Sequence, residues 1–122
     1  MNGIELRARR EALGLNQTDL AELLGVKQST VSTWESGRRS VPDGVSGELN
    51  VIEEQVESIV DLAAEMLDAT SERPVRLRVW ADDESFWLAT DYEPLPAACY
   101  RVAMARARLL ADDPNSTFIA LA

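Results

Sequence analysis

Apolar positions along the chain switch between helical and strand spacing several times. Ile4, Ala8 and Ala12 recur at intervals of four, with Leu6 and Leu13 beside them, which predicts a helix over residues 3–13. Gly14 suits its stop. Asn16 is a favourable N-cap, and Asp19 follows three residues later, so a second helix is expected over 17–24 with Leu20, Ala21, Leu23 and Leu24 inward. Gly25 ends it. A third helix is expected over 28–36, with only Val31 and Trp34 as apolar contacts. Gly37 stops that helix, and Pro42 suits the first turn of a fourth, short one.

A longer pattern runs from about 46 to 70. Leu49, Ile52, Val56, Ile59, Ala63 and Met66 form a seam of heptad type. Such a seam packs either on its own chain or on a second copy. Thr70-Ser71-Glu72-Arg73-Pro74 breaks it. Val75-Arg76-Leu77-Arg78-Val79-Trp80 alternates as a strand does. Asp82 or Asp83 caps a short helix through Thr90, and Glu93-Pro94-Leu95-Pro96 connects onward. Residues 97–111 read as an Ala-rich helix with Ala98, Val102, Ala105 and Leu109 along one stripe, ended by Asp112-Asp113-Pro114-Asn115. Thr117-Phe118-Ile119-Ala120-Leu121 reads as a final strand.

Composition narrows the chemistry. The chain of 122 residues is 46% hydrophobic and 27% charged, enough to bury a core. It has no histidine and one cysteine, Cys99, so the commonest general base, an internal disulfide and a thiolate zinc site are all missing. No paired carboxylates stand out, and neither an enzyme activity nor a metal or other cofactor is expected. Cys99 reads as a small buried hydrophobe. No apolar run reaches a membrane span, and residues 1–10 contain no apolar signal region, so a cytoplasmic protein is expected.

The net charge of −9 is uneven. Residues 1–45 balance to zero, 46–73 carry −7 and 74–122 carry −2. An acidic chain can still present a local face that suits nucleic acid.

Such a face is built into residues 17–37. Two helices crossing steeply touch at one point where only a small residue fits, which is Ala21, and the tight turn after it needs a residue tolerant of positive φ, which is Gly25. Val31 and Trp34 plug the next helix into the core. Its other face is Lys27, Gln28, Ser29, Thr30, Ser32 and Thr33. Gln can pair bidentately with adenine, and Ser and Thr can hydrogen-bond base edges. Arg38 and Arg39 then fall where phosphates would run. This is the pattern of a helix-turn-helix whose third helix reads the major groove of double-stranded DNA.

Residues 4–60 resemble the lambda-repressor-like, Cro-type helix-turn-helix family. The resemblance implies that Arg10, late in the first helix, pairs with Glu35 at the end of the recognition helix, so that Glu35 is structural. It also implies a phosphate contact at Gln17. Beyond that unit, W-E-S-G-R-R-S-V-P-D, a long acidic helix and E-R-P-V-R-L-R-V-W look like the anti-CRISPR-associated repressors of phages and mobile elements. That resemblance implies a small α+β dimerisation domain and repression of the protein's own operon through promoter inverted repeats. The reading surface Lys27-Gln28-Ser29-Thr30 is closer to ordinary Cro-type repressors.

The expected architecture is mainly α with a small α+β C-terminal part. It comprises a DNA-binding domain at 1–47, a long acidic connecting helix at 48–72 and a strand-helix-helix-strand dimerisation domain at 73–122. Two strands make no stable sheet alone. Pairing across a two-fold axis would bury Val75, Leu77, Val79, Phe118, Ile119 and Leu121 in some combination; the alternative is that the two helices cover the small sheet within one monomer. Arg76 and Arg78 share one strand face; they either pair with nearby carboxylates, the preferred reading, or join Arg101 or Arg106 in a second nucleic-acid surface. Trp80 and Trp87 are read as core or interface aromatics. The expected function is a homodimeric transcriptional repressor. The alternative is an antitoxin, whose C-terminal part binds a toxin while the N-terminal unit autoregulates.

Overall fold

The computed structural model describes residues 1–72, 74–111 and 115–121. Arg73 of the Glu-Arg-Pro motif, and Asp112, Asp113 and Pro114 of the expected helix stop, lie outside the described residues. The elements are α1 (Gly3–Ala12), α2 (Gln17–Leu24), α3 (Gln28–Glu35), α4 (Asp43–Ala69), β1 (Arg76–Trp80), α5 (Asp83–Ala89), α6 (Ala97–Leu110) and β2 (Thr117–Leu121). The chain divides into two compact units, 1–54 and 55–122, and the division falls inside α4.

In unit 1 three short helices pack around Leu6, Leu13, Leu15, Leu20, Ala21, Val31 and Trp34, with Val45, Leu49 and Ile52 from the start of α4 in the same buried set. Local chemistry sets the helix ends. The Asn2 side chain accepts from the Glu5 amide at 2.9 Å, and Asn16 accepts from the Asp19 amide at 2.7 Å, each satisfying an orphan donor of a first turn. Gly25 closes α2 at φ 69°, where a side chain would strain the backbone.

The buried stripe of α1 differs from the expected one. Ile4, Ala8 and Ala12 face solvent, and the inward positions are Leu6, Arg10 and Leu13. A buried arginine interrupts the apolar period, so the helix's true inner face is partly polar in sequence. The fourth short helix and the long acidic one are a single helix, α4. Gly44 and Gly47 lie within it on helical backbone, and Val45 continues the buried stripe toward its start.

In unit 2 the second half of α4 contributes Val56, Ile59, Val60, Ala63 and Leu67 to the core. Met66, expected in the seam, is 70% exposed, and Leu67 is buried instead. A straight helix drifts about 20° per heptad against a 3.5-residue repeat, which moves the inner position on by one residue. β1 and β2 pair in parallel, with Leu77 opposite Phe118 and Val79 opposite Ala120. Parallel pairing needs a long crossover, here α5 and α6. Asp82 is the cap of α5, accepting from the Ser85 amide at 2.8 Å.

The inner face of α6 also differs from expectation. Cys99, Ala103 and Ala107, with Ala97 and Met104, are buried, whereas Ala105 and Leu109 are exposed. An alanine-rich helix is weakly apolar on every side, so packing selects the face. Trp80, Phe86, Tyr92 and Tyr100 form one aromatic cluster with centroids 5.2–5.8 Å apart. The Trp87 indole donates to the Leu95 carbonyl at 2.7 Å.

Candidate nucleic-acid interface

The site is built on α3. On a helix of eight residues, Val31, Trp34 and Glu35 turn inward and leave Gln28, Ser29 and the flanking hydroxyl residues on the outer side. Ser29, Thr30 and Thr33 line a concavity of about 450 Å³ together with Arg38 and Arg39 from the segment after the helix. Lys27 stands at the N-cap with no side-chain capping bond. Thr33 donates its hydroxyl proton to the Ser29 carbonyl at 2.7 Å, so its oxygen is left as an acceptor. Ser32 is half-buried beside this group.

Beneath α3 lies an ion pair between α1 and α3. Arg10 Nε donates to Glu35 Oε2 at 2.7 Å and Arg10 Nη2 to Glu35 Oε1 at 2.9 Å, a two-pronged geometry. Arg10 Nη1 donates to the Leu15 carbonyl at 2.9 Å, which ties the α1–α2 turn to the same guanidinium. Burial opposes ionisation of Glu35, but the hydrogen bonds from Arg10 and Gln17 and the positive charges of Arg10 and Arg7 outweigh it. The carboxyl is therefore held below its ordinary value of 4.5.

Gln17 extends this network to the surface. Its Nε2 donates to Glu35 Oε1 at 3.1 Å, and its Oε1 accepts from Gln28 Nε2 at 2.7 Å. An ionised carboxylate only accepts, so it fixes which way the Gln17 amide points, and Gln17 then fixes Gln28. Gln28 keeps its oxygen and one N–H unspent among the described residues. That acceptor–donor couple is what an adenine edge requires. The resemblance implies a phosphate contact at Gln17; in this geometry its amide also links the buried pair to Gln28. A glutamine at the start of each of two consecutive helices was the only sequence signal for it.

The cations of unit 1 separate into two groups. Arg7 pairs with Glu11 at 2.7 Å, Arg10 with Glu35, and Arg9 with Glu53. Arg9 also donates to Ser46 and Asn50, so it clamps α1 to the start of α4. Lys27, Arg38 and Arg39 carry no ion pair among the described residues, and all three flank the exposed face of α3. Positive charge that is uncompensated within unit 1 is thus concentrated beside the polar reading face, although the unit as a whole is not basic.

Two features of unit 1 leave no signal in the local sequence pattern. One is the Arg9 clamp. The other is Gly3, where an added Cβ would sit 2.7 Å from the Glu35 carbonyl oxygen and closer still to that of Trp34. The start of α1 therefore rests directly on the backbone at the end of α3.

The residues expected at a dimer contact are not equivalent. Leu77 and Val79 are buried within unit 2 at 5% and 6% exposure, whereas Phe118 is 45% exposed and Val75, Ile119 and Leu121 are half-buried. Arg76 and Arg78 are exposed and carry no ion pair among the described residues. Arg101 instead donates to the Trp80 carbonyl, and Arg106 pairs with Glu57 at 2.7 Å. No helix among the described residues is long and apolar enough to cross a membrane.

No curated protein matches the chain. Residues 3–72 match the family described as helix-turn-helix domain, which takes in α1, α2, α3, the whole of α4 and the reading face described above. With more than half of its length inside that match, the chain belongs to the helix-turn-helix domain family.

Proposed function

We propose that the protein is a sequence-specific transcriptional repressor of Cro type that binds an inverted-repeat operator as a homodimer. α3 enters the major groove, where Lys27, Gln28, Ser29, Thr30, Ser32 and Thr33 meet base edges and the adjoining backbone. Arg38 and Arg39 meet phosphates, and Gln17 reaches the backbone while it orients Gln28. Repression follows from occupancy of the promoter, and the regulated unit is the protein's own operon, of phage or anti-CRISPR type. The observation that carries this reading is the relay from Glu35 through Gln17 to Gln28, which presents a fixed amide edge between uncompensated cations.

Selection of bound fragments from random duplex DNA at stated salt tests it. An enriched inverted repeat, with half-sites about 34 Å or one helical turn apart, is expected. A retained pool without a motif would argue against sequence-specific repression.

A second reading, an antitoxin whose C-terminal part binds a toxin, draws on the exposed Leu109, Leu110 and Phe118 of unit 2. Its signature is a stable heterocomplex with a protein encoded beside it, lost on substitution of Phe118 by a charged residue.

A further inference from the structure

We propose that a groove in unit 2 is one half of a self-complementary interface, and that its occupant is a second copy of this chain with the two α4 helices parallel. This inference rests on the dimeric reading above and names the surface.

The groove has a volume of about 450 Å³ and runs between α4 and β1. Ile59, Leu62, Ala63 and Met66 line one side, and the consecutive residues 75–78 line the other. Successive strand residues point to opposite faces, so a wall that takes in 76, 77 and 78 together, with Val75 just before them, is the rim of β1. The sheet has two strands among the described residues, and the rim on this side has no strand neighbour. Leu62 and Met66 lie one helical turn apart and are 57% and 70% exposed. An apolar pair of this kind, bordering an apolar groove on a strongly acidic helix, marks a contact surface.

Charge selects the occupant and its direction. At about 100° per residue, Leu62 and Met66 have groove-lining Ile59 and Ala63 on one flank and Asp61 and Glu65 on the other. Asp61 and Glu65 are exposed and carry no ion pair among the described residues, and the same holds for Arg76 and Arg78 across the groove. Each molecule therefore has a cationic border on one side of its apolar stripe and an anionic border on the other. A two-fold axis running along the helices sets the cationic border of each copy against the anionic border of its partner, at the same height. A two-fold axis perpendicular to the helices, which makes them antiparallel, sets like against like. A two-fold contact must be self-complementary, and only the parallel arrangement is.

Sedimentation equilibrium of the full chain over a concentration series, at low and high salt, provides the test. The wild type is expected to be a reversible dimer that weakens with salt. Three variants each should raise the dimer dissociation constant by roughly tenfold to a hundredfold. They are Leu62→Asp with Met66→Asp, Arg76→Glu with Arg78→Glu, and Asp61→Arg with Glu65→Arg. Combining the two charge reversals should restore the dimer. Circular dichroism should show native helix content in all of them, since every substituted side chain is exposed. A dimer that ignores these changes but falls apart with Phe118→Asp would overturn the inference and leave the dimeric reading standing. Failure of the combined reversal to restore the dimer would overturn the parallel arrangement. A wild type that stays monomeric at every concentration, and binds its operator as a monomer, would overturn both.

Discussion

Gln28 on α3 donates to Gln17 at the start of α2 at 2.7 Å, so the residue proposed to offer an amide edge to DNA is held by a side chain from the preceding helix. Gln17 is held in turn by the ionised Glu35. A base-reading side chain pinned in one orientation loses less rotamer entropy on binding than a free one, which favours affinity. Gln28→Ala should weaken specific binding by about 1–3 kcal/mol with the fold intact. Gln17→Ala should reproduce part of that loss, and the double variant should lose less than the sum, because the two residues act as one unit. A fluorescence-anisotropy cycle on the selected operator checks this, and strict additivity would argue against coupling.

The Arg10–Glu35 ion pair under α3 ties α1 to α3 within unit 1. Truncating one member of a buried pair leaves the other charge uncompensated, at a cost of about 3–5 kcal/mol. Arg10→Ala should therefore lower the denaturant midpoint of unit 1 more than Arg7→Ala does, since Arg7 and Glu11 are exposed. Trp34→Ala should cost about 3–5 kcal/mol through the cavity it leaves in the same core. A native-like unfolding profile for either Arg10→Ala or Trp34→Ala would count against these roles.

The pair also sets a pH dependence. The Glu35 carboxyl titrates below 4.5 in the folded protein, so the unfolded chain takes up its proton first as pH falls. Its contribution to stability is complete above the unfolded value and is lost as pH drops through the folded one. Thermal melts of wild type and Glu35→Gln should differ by a constant amount near neutral pH and converge in acid. A gap that stays constant down to the acid end would contradict the assignment.

At Gly3 the test is steric. Gly3→Ala places a methyl group on the carbonyls that end α3, and backbone cannot yield as a flexible side chain does. Overpacking of this kind costs about 1–3 kcal/mol, and it should shift α3 enough to lower operator affinity as well. The reverse outcome, a gain in stability from better helix propensity, would show that α1 simply moves aside.

Arg38 and Arg39 should act on all sequences alike. Removing either one should reduce the slope of log K against log salt by about 1 for each site occupied, with little change in sequence preference. Bound as the proposed homodimer, the wild type is expected to show a slope of roughly −4 to −8. A variant that changes which operator is selected would instead place that arginine at a base edge.

The second strand and the helix before it show why part of the fold was hidden in the sequence. β1 could be read from its alternation and β2 from its apolar run after a breaker, yet nothing local specified that they pair with each other in parallel. That register depends on the α5–α6 crossover. The inner faces of α1 and α6 differ from the apolar pattern for two different reasons. In α1 the buried arginine does not register as a core residue, and in α6 a run of alanines gives no face a decisive advantage.

Taken alone, the sequence determined the local elements and the chemistry on offer. Asparagine caps, glycine stops and the apolar periods set where helices begin and end, and the polar outer face of α3 follows from its two apolar anchors, Val31 and Trp34. Those are short-range effects, decided within a turn or two of helix. Tertiary structure alone decided which side chains meet: Glu35 with Gln17, Gln17 with Gln28, Arg9 with Glu53, and the exposed Leu62 and Met66 beside the rim of β1. Such encounters depend on the crossing of helices distant in sequence, where a rotation of one residue, about 100°, moves a side chain from the core to the surface.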